Sequence, residues 1–169
     1  LSLPLNDAGG PNPDTNSGVV RWVEIERRPG TDEIGLLFAD DNDDLVAVVW
    51  DGTQWLTASA STLESSLKAN GVTGLVENRC FDLAFERSTG DLIAAWGQAG
   101  TNGFAWSAKP FNSNTWSTPV AVSTNFFDES DFVDLAAEPG SDRIAGVFCD
   151  LETTSERMGM GVWNGTSWI

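Results

Sequence analysis

An eighteen-residue segment occurs three times in this chain, and that recurrence leaves few folds open. The copies run from Val23 to Asp40 (VEIERRPGTDEIGLLFAD), Phe81 to Gln98 (FDLAFERSTGDLIAAWGQ) and Val133 to Asp150 (VDLAAEPGSDRIAGVFCD). Position two is acidic each time: Glu24, Asp82, Asp134. Position three is Ile25, Leu83 or Leu135, position nine Thr31, Thr89 or Ser141, and position twelve Ile34, Leu92 or Ile144. Position sixteen is Phe38, Trp96 or Phe148. Self-similarity at such a period marks one supersecondary unit used repeatedly, each burying an apolar face against its neighbour.

Within a unit the pattern is that of short antiparallel strands. Trp22 to Arg27 alternates as a strand, Pro29-Gly30-Thr31-Asp32 is a turn, and Glu33 to Ala39 is a second strand. The acidic loop Asp40 to Asp44 leads to a third strand, Leu45 to Trp50, and Trp55 to Thr62 is a fourth. The second unit repeats this plan over Cys80 to Arg87, Asp91 to Gly97, Gly103 to Phe111 and Trp116 to Ser123. Strands this short, separated by regular turn signals, predict an all-β chain. Only Leu63 to Ala69 has helical character, with Asn70-Gly71 as its stop. A second signature marks the later hairpin of each unit: WDGTQW from Trp50 to Trp55, FNSNTW from Phe111 to Trp116, and WNGTSW from Trp163 to Trp168. Asp-Gly and Asn-Gly predict a type I′ turn, with the flanking aromatics paired across the strands.

The third unit departs from the plan, because only Ile169 follows Trp168 where the other units have a fourth strand. An edge of unpaired backbone at Val162, Trp163, Trp168 and Ile169 is expected. The N-terminal LSLPLN, with Leu1, Leu3 and Leu5 on one face, has the alternation to fill it. The ends of the chain look complementary.

Four-stranded units of about fifty residues with a tight turn before a Trp resemble the blades of a β-propeller. The NSNTW and NGTSW turns are similar to the tail of the Asp-box turn of secreted, bacterial-type, sialidase-like and lectin-like propellers. The resemblance implies three antiparallel blades packed radially, with the first strand of each lining a central channel. It divides the chain into an N-terminal strand and linker (1–17), blade 1 (18–73), blade 2 (74–130) and an incomplete blade 3 (131–169). Propellers need about 4 to 8 blades, so three do not close alone. Three arrangements follow. The N-terminal strand completes its own third blade, with two chains forming a six-bladed ring; it inserts into the next molecule, giving a ring or filament; or the chain is a piece of a longer propeller.

Several groups are candidates for chemistry. Glu24, Asp82 and Asp134 converge on one axis in such a ring, where they suit a Ca²⁺ ion or accept hydrogen bonds from a neighbouring blade's backbone. Asp40, Asn42 and Asp44 have the one-three-five spacing of a calcium loop, but Leu45 replaces its turn glycine, which leaves a solvated hairpin as the better expectation. Trp50, Trp55, Trp116, Trp163 and Trp168 either stack on sugars, as the resemblance implies, or pack between blades. Cys80 and Cys149 fall at similar heights on adjacent blades, as a disulfide or as two thiols. The Asn164-Gly165-Thr166 sequon is already explained by its turn.

Charge narrows the partners. With 25 acidic and 9 basic residues the net charge is −16, which opposes nucleic acid. No apolar run is long enough to cross a bilayer. The chain has no His and no Tyr, hence neither a Ser-His-Asp triad nor the Tyr nucleophile of sialidase-like propellers. The expectation is an extracellular or cell-surface protein, a processed product or excised fragment, without enzymatic activity or a required cofactor. Its foremost partner is itself, through strand donation into an oligomer or filament; the alternative is a glycan-binding module.

Overall fold

The computed structural model describes residues 19–68, 78–124, 128–151 and 157–169. Among them are eleven strands and no helix. They form three antiparallel meanders. The first sheet holds β1 (Val20–Arg27), β2 (Ile34–Asp40), β3 (Leu45–Trp50) and β4 (Trp55–Glu64), paired in chain order. The second holds β5 (Phe81–Phe85), β6 (Leu92–Trp96), β7 (Gly103–Lys109) and β8 (Val120–Ser123), and the third β9 (Phe132–Ala137), β10 (Ile144–Asp150) and β11 (Arg157–Trp163). Each eighteen-residue copy is thus a hairpin, closed in the first and third copies by Gly30 and Gly140 at φ values of 77° and 82° that favour glycine. N-terminal Leu1, Leu3 and Leu5 lie outside the described residues.

The sheets stack through their apolar faces. Leu37, Leu45 and Val49 of the first sheet join Phe81, Phe85 and Trp96 of the second in the largest core cluster. A Cβ on Gly35 would lie 2.7 Å from a Leu83 methyl, so glycine there lets the second sheet close on the first. The opposite face of the second sheet packs on the third in two smaller clusters, Ala95 and Phe104 with Val133 and Phe148, and Ala84 and Ile93 with Ile144 and Trp163. The first strands meet as well: β5 contacts both β1 and β9.

Three local expectations are corrected. Leu63 and Glu64 are not helical but extend β4, because Glu64 pairs with Leu45 and Leu63 enters the core; Ser65 and Ser66 then bend around the Glu64 carboxylate. The Trp50–Trp55 and Trp163–Trp168 turns are not type I′, since only Gly52 and Gly165 have positive φ. Instead the Asp51 carboxylate accepts from the Thr53 and Gln54 amides, as Asn164 Oδ1 accepts from those of Thr166 and Ser167. The fourth strand of the second sheet starts at Val120 rather than Trp116, whose side chain turns inward between sheets.

Candidate functional site

The repeated acidic position does draw three carboxylates together, but among the described residues no group of three or more His, Cys, Asp or Glu forms a metal-ligand cluster. Their partners are an arginine and the backbone. The Arg79 guanidinium is paired with Glu24 through one nitrogen and with Asp134, at 2.8 Å, through the other, joining the first strands of sheets one and three. It also lies over the Phe132 ring, 4.9 Å from its centroid. Asp82 accepts from its neighbour Leu83 N at 2.9 Å and from Leu135 N of the third sheet at 2.6 Å. Burial outweighs these hydrogen bonds and the nearby Arg79 charge and pushes the Asp82 carboxyl up to about 6. Arg79 stands two residues before its copy, where Arg21 stands before the first. That basic recurrence opposite an acidic one was the signal in the sequence for this pair.

The acidic loop is a backbone-bonded turn. Asp40 Oδ1 accepts from the amides of Asn42 and Asp44, and Asp40 and Asp44 are buried rather than solvated, with only Asn42 of the three exposed. Asp43 takes the left-handed conformation at φ 63° and its carbonyl accepts from Leu67 N. Cys149 pairs with Phe132 across the β9–β10 ladder as the hairpin register requires. Both cysteines are free thiols, Cys80 buried and Cys149 half-buried. Burial pushes the Cys80 thiol up to about 12, so it stays protonated and inert.

The tryptophans divide into two sets. Trp116 and Trp163 are buried, with their indole N–H groups donating across sheet junctions, Trp116 to Ser59 O at 3.2 Å and Trp163 to Glu86. Neither offers a ring to a ligand from solvent. Trp50 and Trp55 face each other edge to face at 5.7 Å and stay half-exposed. Trp168, packed edge-on against Phe104 and Phe148, has a buried indole N–H with no hydrogen-bond partner among the described residues.

That donor lies beside the outer strand of the third sheet. β11 is the outer strand of the third sheet; its inner side pairs with β10, and on its outer side, among the described residues, Val162 and Ile169 exchange two backbone hydrogen bonds of 2.9 Å. Alternation turns the backbone groups of Met158 and Met160 to that same side. Their side chains are 65% and 78% exposed. A cleft lies on each side of this edge. One, about 310 Å³, is lined by Ala145, Val147, Met160, Val162 and Ile169; the other, about 150 Å³, by Phe104, Val122, Phe148 and Trp168. An edge strand flanked by two apolar clefts can take up a further strand whose alternate side chains fill both.

No protein-family model matches the chain, and no curated protein matches it.

Proposed function

We propose that this chain is a non-enzymatic, extracellular or cell-surface structural protein that assembles with copies of itself by β-strand donation, its sheets acting as propeller-type blades. The β11 edge carries the reading, with its outer-side pairing at Val162–Ile169, its exposed methionines and an apolar cleft on either side. A soluble monomer rarely leaves such a patch uncovered, and an unpaired edge invites another strand. The donor is the segment Leu1–Asn6 of a second copy, whose Leu1, Leu3 and Leu5 would enter one cleft while the backbone pairs with β11. The same donation would bring backbone acceptors towards the Trp168 N–H, which among the described residues lacks the acceptor that its repeat equivalent Trp116 finds in Ser59.

Negative-stain electron microscopy of the purified protein, with light scattering behind a sizing column, tests this. Filaments or closed rings, lost on deleting residues 1 to 8 while the remaining chain stays folded by circular dichroism, are the expected result. A monodisperse monomer at all concentrations, or assembly indifferent to the deletion, overturns it.

A further inference from the structure

A second site lies away from the third sheet, at the turns of the first two, and does not depend on self-association. Between the turns of the first and second sheets lies a cleft of about 410 Å³, lined among others by Arg28, Glu33, Asp51, Lys109, Phe111 and Asn114. Its volume falls in the range of small-ligand pockets. At its base is Lys109, the last residue of β7, which is only 3% exposed. Lys109 lines the cleft, and its side chain makes no hydrogen bond or ion pair among the described residues. A buried cation without a close partner is expensive. Burial accordingly pushes the amine's pKa down, while the Glu33 and Asp91 charges hold it up. Burial at 3% exposure, not its rarity among the chain's two lysines, sets this side chain apart from a surface lysine.

The walls around Lys109 are fixed. Arg28 donates to Glu33 at 3.1 Å and its guanidinium lies 3.9 Å over the Phe111 ring, while the Phe111 amide donates to Asp91 at 2.7 Å. Asn112 is held in the left-handed conformation at φ 62°, and Ser113 N closes the turn on Pro110 O. The cleft therefore presents donors and carboxylate acceptors side by side, over a small apolar surface from Leu56 and Phe111. With Asp32, Glu33 and Asp51 in its lining, and a net charge of −16, it repels an anion.

From this geometry we propose that the cleft binds an uncharged saccharide of one or two residues, with the Lys109 ammonium donating to a sugar oxygen at its base. A hydroxyl both donates and accepts, which is what a lining of mixed sign offers. The site is distinct from the half-exposed Trp50 and Trp55 pair, since neither ring lines the cleft.

The test is a glycan array with neutral and acidic saccharides on the intact protein, followed by calorimetry with the best neutral binder on four proteins: wild type, Lys109→Met, Asn114→Leu and Trp55→Ala. Lys109→Met removes a buried unpaired charge and should melt no lower than wild type. It should weaken binding at least about tenfold, as expected for a lost hydrogen bond to a charged group. Asn114→Leu, on the exposed rim, should weaken it too, and Trp55→Ala should leave it unchanged. Absence of any neutral ligand, preference for acidic glycans, or binding lost in Trp55→Ala but kept in Lys109→Met each overturns the assignment.

Discussion

The second and third sheets are built on the same repeat, yet among the described residues one is covered on both faces and the other on one. The registers make the comparison residue by residue. Ala95 pairs with Trp106 as Val147 pairs with Met160, so Trp106 and Met160 are equivalent, and one step along Phe104 corresponds to Met158. Phe104 is 4% exposed, stacked at 3.8 Å on Phe148 of the third sheet, whereas Met158 is 65% exposed. Apolar residues stand at both positions although, among the described residues, only one is covered by a neighbouring sheet. The repeat has kept apolar side chains on the outer face of the third sheet, the face that the proposed self-association would cover.

The strongest way to break this comparison is to truncate both members of the pair. Phe104→Ala should cost about 3–5 kcal/mol, since a buried aromatic leaves a cavity between two sheets. Met158→Ala should stay within about 0.5 kcal/mol in the monomer. Urea unfolding of each at low concentration gives both numbers, and similar costs would mean that the face of the third sheet is already covered.

Asp82 sharpens the comparison, because it is a buried carboxylate on the covered face while Asp134, its equivalent, has its side chain 58% exposed. The folded-state pKa of Asp82 lies near 6, above the ordinary 3.8. Protons are therefore held more tightly in the folded protein. The stability this contributes is fully present below about pH 4 and is lost as pH rises through 6, by about 3 kcal/mol at most. Asp82→Asn should remove that part of the pH dependence, with Asp134→Asn as the control for a lost charge. A wild-type and Asp82→Asn difference that is flat between pH 4 and 6 would refute the shift.

The hairpins and the stacking of like faces were legible in the sequence, because period-two alternation and turn glycines act locally. Cys149 opposite Phe132 followed from that register alone. What escaped depended on packing between units. β4 took in Leu63 and Glu64, where the helical signal began, because cross-strand pairing to Leu45 and core burial of Leu63 outweigh local propensity. Sorting the five turn-flanking tryptophans into buried and half-exposed needed the neighbouring sheet, as did finding Lys109 at the base of a cleft, since nothing in the order of residues marks which lysine is enclosed.

A smaller effect is expected at Arg79, the link between the covered and open sheets. Arg79→Ala leaves Glu24 and Asp134 without their shared cation, but Asp134 is well solvated, so the loss should be about 1 kcal/mol. It should shrink further in molar salt. A loss that is unaffected by salt would instead point to the contact with Phe132 as the main contribution.

The smallest effect on the monomer should accompany the largest on assembly, at Met160. Its side chain is 78% exposed, so Met160→Lys should change unfolding by no more than about 0.5 kcal/mol. Yet Met160 lines both clefts beside the β11 edge, and a lysine there must be desolvated when a donated strand enters. Because the chain carries a net charge of −16, an added lysine lowers the repulsion between copies. Loss of rings or filaments in Met160→Lys, measured by light scattering, therefore reports on the edge and its clefts rather than on overall charge. Assembly that survives the substitution would place the contact elsewhere and make the open face of the third sheet a surface without a partner of its own kind.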